Sequence, residues 1–211
     1  MVKLLRLFFF ALLVRPVLLL VLGMNVRGRE NLPVDGPAIL AANHNSHLDT
    51  LILMALFPLR DLPKLRPAAA ADYFMTSKWL SWFALNIIGI IPLERGTIKK
   101  NPLGDLEAAL DRNEIVILFP EGSRGEPEQM TNFKRGLAYL SKARPEVPVH
   151  PVFMHGLGKA LPKGSFILVP FNCDVVAGRA FTWTGQTATF METLTTQMNE
   201  LEETGNFAAW E

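Results

Sequence analysis

One cysteine, Cys173, stands in 211 residues. A single thiol excludes an internal disulfide and any metal site built from several cysteines. Only four histidines are present. Two fall in the run His44-x-x-His47-x-Asp49, and His150 and His155 lie far from them. No conventional zinc spacing results, and no metal is expected. The formal net charge is +1, which disfavours a dedicated nucleic-acid binder. No Gly-Lys-Ser/Thr closes a phosphate loop, and no serine elbow presents a nucleophile. Internal repeats and low-complexity linkers are also missing. The length suits one domain with a full-sized core.

What is abundant is apolar surface. Hydrophobic residues make up 49% of the chain and charged residues 19%. The excess is concentrated in residues 4–24, where Arg6 and Arg15 are almost the only polar side chains. Lys3, Arg6, Arg15, Arg27 and Arg29 all precede the first acid, Glu30. A basic, apolar start suits an anionic membrane surface. Arg15-Pro16 interrupts the run and no small-x-small site follows, which argues against a cleaved signal peptide. An arginine near the bilayer centre costs about 2.5–3.5 kcal/mol, and Pro16 favours a bend. The favoured reading for residues 1–25 is an in-plane anchor, a bent helix or helix pair whose Arg15 snorkels to the head groups. A tilted span and a helix buried by the protein itself are the alternatives.

Strand-like runs then alternate with helical patterns. Residues 38–42, 65–71, 89–93, 115–119, 147–153, 166–169 and 175–176 read as strands. Residues 49–59, 76–87, 102–112, 132–143 and 188–203 read as helices. The continuous apolar run 115–119 is that of a strand buried on both faces. The alternation predicts an α/β fold: a layered sheet with helices on both faces, plus the apolar N-terminal helix.

Four polar clusters follow four of these strand-like runs. In the first, His44 leaves the strand 38–42 and Asp49 follows five positions later. A straight helix would point the two side chains apart. They meet only if His44 is on the turn and Asp49 begins the next helix. Such a pair is a base and its orienter; His47 reads as a local structural contact. The second cluster is Pro92-Leu93-Glu94-Arg95-Gly96, where the Arg95 guanidinium at a strand end suits a phosphate. The third is Phe119-Pro120-Glu121-Gly122-Ser123-Arg124-Gly125: an acid, a hydroxyl and an arginine on a glycine-rich turn. Lys134 and Arg135 follow, within reach of a head group or at a solvated helix start. The fourth, Val147-Pro148-Val149-His150-Pro151, shapes a wall.

Taken in this order, the clusters resemble those of the glycerolipid acyltransferase family, the lysophosphatidate and glycerol-3-phosphate acyltransferases. The resemblance covers about residues 25–180 and would make 26–211 an acyltransferase catalytic domain. It implies transfer of a fatty acyl group from acyl-CoA or acyl-carrier protein to the sn-2 hydroxyl of 1-acylglycerol-3-phosphate, with no cofactor. By the same resemblance His44 is the base and Asp49 its orienter. Arg95 takes the acceptor phosphate, and Glu121, Gly122, Ser123 and Arg124 bind the acceptor, with Lys134 beside them. Backbone amides near the first or third cluster would hold the oxyanion. The expected setting is the cytoplasmic face of the inner membrane. Two alternatives stand: another lyso-lipid acceptor, such as a lyso-ornithine lipid or a lysophospholipid, or a non-catalytic lipid-binding membrane protein.

Overall fold

The computed structural model describes residues 1–94, 101–126, 128–161 and 168–207. Seven strands form one sheet: β1 (Met24–Arg27), β2 (Ala38–Ala42), β3 (Leu65–Ala70), β4 (Ile91–Leu93), β5 (Ile115–Leu118), β6 (Val149–His155) and β7 (Cys173–Ala177). Their order is β1-β7-β6-β2-β5-β3-β4. The five strands from β6 to β4 run parallel; β7 is antiparallel to β6, and β1 is parallel to β7. The sheet is therefore mixed, with β2 and β5 at its centre.

Side-chain alternation along the central strands feeds two cores. Ala38, Leu40, Ala42, Ile115 and Ile117 face one side. There they meet Ile52, Leu53 and Met54 of α3 (Asp49–Ala55) and the N-terminal helix. Ile39, Ala41, Val116 and Leu118 face the other side. Their partners come from α6 (Gly104–Asp111), α7 (Gly136–Ala143) and α9 (Thr187–Gly205), through Leu106, Leu110, Leu137, Leu140, Phe190, Leu194 and Met198. Both faces are covered, and β2 and β5 are wholly buried, as a continuous apolar run requires.

The N-terminal segment is α1 (Val2–Phe8), a π turn (Phe9–Val14) and α2 (Arg15–Leu20). The backbone stays helical through Pro16 rather than breaking there. The wider π turn directly before it absorbs the missing donor and the ring. Phe10, Val14, Leu18 and Leu22 are buried in the first core, so this face belongs to the domain. Among the described residues no helix is long and apolar enough to cross a membrane. Four of the five early cations hold backbone carbonyls. Arg6 donates to Leu65 O (3.2 Å) and Ile88 O (3.0 Å), and burial lowers its pKa to about 10. Arg15 donates to Phe57 O (2.6 Å), Arg29 to Leu56 O and Arg27 to Gly205 O. Arg15, expected to snorkel to head groups, is tied in this structure to the chain just after α3.

Most element ends shift by a few residues from the sequence reading, and the helix read over 49–59 stops at Ala55. The helix expected over 132–143 begins only at Gly136, because the chain before it is held elsewhere: Lys134 N donates to Pro120 O (2.8 Å). Residues 168 and 169 are not strand, and the first half of that expected strand lies outside the described residues. The remaining elements are two 3-10 turns (Arg29–Asn31 and Leu59–Lys64), the single turns α4 (Ala71–Phe74) and α8 (Leu157–Ala160), and α5 (Lys78–Phe83) with a π turn after it.

Candidate active site

Ala41 of β2 lies opposite Leu118 of β5, so both strands leave the sheet at the same carboxyl edge. That edge is where open α/β sheets bind their ligands. His44 Nδ1 sits 2.8 Å from Asp49 Oδ2. A carboxylate only accepts, so Nδ1 carries the proton and Nε2 keeps the lone pair of a base. Asp49 opens α3, and its side chain is 1% exposed against 20% for His44. The same Oδ2 accepts from the amides of Asn45 (2.7 Å) and Ser46 (2.9 Å). Three donors fix one oxygen, and the turn that precedes the helix folds back around it. The His44 ring stacks on Phe119, with centroids 4.0 Å apart and planes 17° from parallel.

Glu121 comes from the loop after β5 and is 2% exposed. Its Oε1 accepts from His44 N (2.8 Å), and its Oε2 accepts from Thr131 N (2.9 Å) and Thr131 Oγ1 (2.7 Å). Gly125 N returns a bond to His44 O (2.9 Å). The first and third clusters are thereby laced together backbone to side chain. Acceptor binding is expected of Glu121; in this structure both of its oxygens accept hydrogen bonds within the fold, one of them from the backbone of the base. Glu121→Gln is predicted to lower kcat about tenfold or more while the acceptor KM moves little, since a charged hydrogen bond contributes about 1.5–3 kcal/mol. Steady-state kinetics in both substrates checks this; a selective rise in acceptor KM would instead show direct acceptor binding.

Gly122 adopts φ +72°, and a Cβ there would stand 2.8 Å from Lys134 Nζ. Glycine thus leaves room for the side chain of Lys134, an exposed residue whose amine lies against the third-cluster turn. Ser123 is exposed on the same turn. Arg124 donates to His47 Nε2 and lies over the Tyr73 ring, 5.6 Å from its centroid. Arg95 lies outside the described residues. The amides of His44, Asn45, Ser46, Gly122 and Gly125 all have acceptors within the fold. In this conformation they are not oxyanion donors, which narrows the expectation for the first and third clusters.

Residues 23–155 match the profile of the Acyltransferase family. The chain belongs to this family. It is 30% identical to the chloroplastic 1-acyl-sn-glycerol-3-phosphate acyltransferase LPAT1 of Arabidopsis thaliana, over 67% of this chain and 38% of that protein. It is 31% identical to the 1-acyl-sn-glycerol-3-phosphate acyltransferase of Pseudomonas aeruginosa, over 74% of this chain and 58% of that one. The matches thus span less than two thirds of each relative's length. The fold resembles the crystal structure of the 1-acyl-sn-glycerophosphate acyltransferase PlsC of Thermotoga maritima. That superposition has a TM-score of 0.77 at 19% identity and covers 97% of this chain and 81% of that one.

Within this member of the family, several supporting residues escaped the sequence reading. Asn43 Nδ2 donates to Met154 O (2.8 Å) and its Oδ1 accepts from Met154 N (2.7 Å), extending the pairing of β2 with β6 past the strand end. Ser46 Oγ donates to Leu161 O (3.0 Å). Glu128, with φ +60°, accepts from Gly156 N (2.9 Å) and Gly158 N (3.1 Å) and lies 3.0 Å from His155 Nδ1. It clamps the third-cluster loop onto the end of β6. In the fourth cluster, His150 Nδ1 donates to Asn31 O (2.6 Å), and burial lowers its pKa, as befits a wall.

Proposed function

We propose that this acyltransferase moves a fatty acyl group from acyl-CoA or acyl-carrier protein to the sn-2 hydroxyl of 1-acylglycerol-3-phosphate, yielding phosphatidate. The observation that carries the reading is the His44–Asp49 pair, 2.8 Å apart, at the sheet edge with Arg124 close by. His44 Nε2 takes the hydroxyl proton while the alkoxide oxygen attacks the thioester carbonyl. Asp49 stabilises the imidazolium that forms. Collapse of the tetrahedral intermediate expels the thiolate, which takes that proton from His44. The bond to sulfur breaks as the ester forms, and no acyl-enzyme or cofactor is needed. Arg95, Arg124 and Lys134 are assigned to the acceptor phosphate, so remote binding energy orients the hydroxyl.

The membrane setting belongs to the same proposal. Leu12, Leu19 and Leu20 are 71%, 68% and 84% exposed, on the helix face opposite the core. Trp79 is 84% exposed on α5, whose following π turn packs beside α1. This apolar platform suits an in-plane seat in the cytoplasmic leaflet. The deciding experiment gives the purified chain a panel of lyso-lipids in vesicles, with acyl-CoA and acyl-carrier-protein donors. Lysophosphatidate is expected to be the preferred acceptor; preference for a lyso-lipid without a phosphate would overturn the assignment.

A further inference from the structure

The first-cluster loop carries a second histidine whose setting the proposed reaction leaves unused. His47 is exposed, unlike the buried Asn45 and Ser46 beside it. It follows His44 by three residues on the loop that leaves β2. Arg124 reaches it from the loop after β5, donating to its Nε2. Tyr73 of α4 reaches it from a third direction, with ring centroids 6.0 Å apart, and the same phenol ring underlies the Arg124 guanidinium. Three separate segments thus converge on one imidazole next to the catalytic pair. A side chain serving only to pack the loop has no need of a guanidinium at its outer nitrogen.

Resting on the lysophosphatidate reading, we infer that His47 is a ligand of the acceptor's phosphate, binding it as an imidazolium beside Arg124. The ligand class is a phosphomonoester dianion, which offers enough charge and oxygens for both cations. In the empty site the imidazole is neutral, because its Nε2 is the acceptor of the Arg124 bond. The groups facing it are Arg124, Tyr73, His44 and Asp49. Desolvation comes first, then the Arg124 charge, in holding its pKa below the usual 6.5; Asp49 opposes them. A dianion seated against Arg124 cancels that repulsion and raises the pKa. Arg124 turns to the phosphate, and the vacated nitrogen takes up a proton and donates in its place. A phosphodiester carries one charge fewer and has a substituent where the second cation would bind. His47 therefore separates lysophosphatidate from diester lyso-lipids.

The linkage has a definite sign. His47 is more protonated in the complex than in the free enzyme, so acceptor binding takes up a proton. That advantage is lost as pH rises through the raised pKa of the complex. The test is calorimetric titration of the full chain with 1-oleoylglycerol-3-phosphate in mixed micelles, at neutral pH. Buffers of differing ionisation enthalpy report the protons taken up. The wild type is expected to take up more protons than His47→Gln, which keeps an acceptor for Arg124 but cannot titrate. Its acceptor KM is expected to rise about tenfold for the monoester and little for 1-oleoylglycerophosphoglycerol. Wild-type turnover of the monoester with equal proton uptake in both proteins overturns the His47 assignment alone. A wild type that neither binds nor acylates the monoester overturns the lysophosphatidate reading and this inference together.

Discussion

His44→Ala is expected to lower acyl transfer by about 10²–10⁴-fold, the usual contribution of a positioned base, and to leave the fold unchanged. The ring is partly exposed and stacks on Phe119, so its loss opens no sealed cavity. Asp49 gives a sharper test because two substitutions separate its roles. In Asp49→Asn the amide must choose an orientation. The amides of Asn45 and Ser46 both point at the Oδ2 position, which calls for oxygen there. The new NH2 then takes the Oδ1 position, which has no hydrogen-bond partner. Oxygen still faces His44 Nδ1, so the productive tautomer survives and only the charge is lost. Asp49→Ala removes the orienter and leaves Nδ1 and two amides unpaired. The predicted order of residual activity is wild type, then Asp49→Asn, then Asp49→Ala, with His44→Ala at or below the last. Turnover by folded variants, with folding checked by circular dichroism, decides it. An Asp49→Asn variant as inactive as Asp49→Ala would show that the tautomer flips after all.

The pairing of His44 with Asp49 was readable from sequence because a helix cannot bring residues five apart together, whereas a turn entering a helix can. The sheet's layering was readable from the alternation of strand-like and helical runs and from the continuous apolar run 115–119; in the structure the odd and even positions of β2 and β5 enter separate cores. The internal partners of Glu121 were not readable. A glutamate on a glycine-rich turn looks the same whether it faces ligand or fold, and only its distances to His44 N and Thr131 distinguish the two. Glu128 was less visible still: its partners are backbone amides thirty residues away, and amides leave no trace in side-chain patterns. The internal partners of the early arginines were hidden for a related reason. Positive charge near an apolar run suggests an anionic surface, yet Arg6, Arg15, Arg27 and Arg29 each have a carbonyl within the fold.

Removing residues 2–22 is expected to unfold the protein rather than yield a soluble enzyme. An N-terminal anchor read from sequence invites that truncation as a membrane-release experiment. The structure gives it a different outcome. Phe10 and Leu22 are fully buried, and Leu18 and Val14 are 2% and 4% exposed, all within the core that holds β2 and α3. Burial of each such side chain contributes about 1.5–3 kcal/mol. Four together approach the entire stability of a typical domain, about 5–15 kcal/mol. The carbonyls of Leu65, Ile88 and Phe57 also lose their arginine donors. Phe10→Ala alone is expected to cost about 3–5 kcal/mol, read as a lowered urea midpoint at unchanged slope. Membrane attachment needs a different probe. Leu12→Glu with Leu20→Glu alters the exposed face and touches none of the buried one. That double variant is expected to keep the wild-type urea midpoint while losing most of its binding to anionic vesicles, because two apolar contacts become charges that the lipid must solvate. A truncated chain that unfolds cooperatively at the wild-type midpoint would show that the helix is an appendage. A double variant that sediments with vesicles as the wild type does would remove this face as the membrane seat.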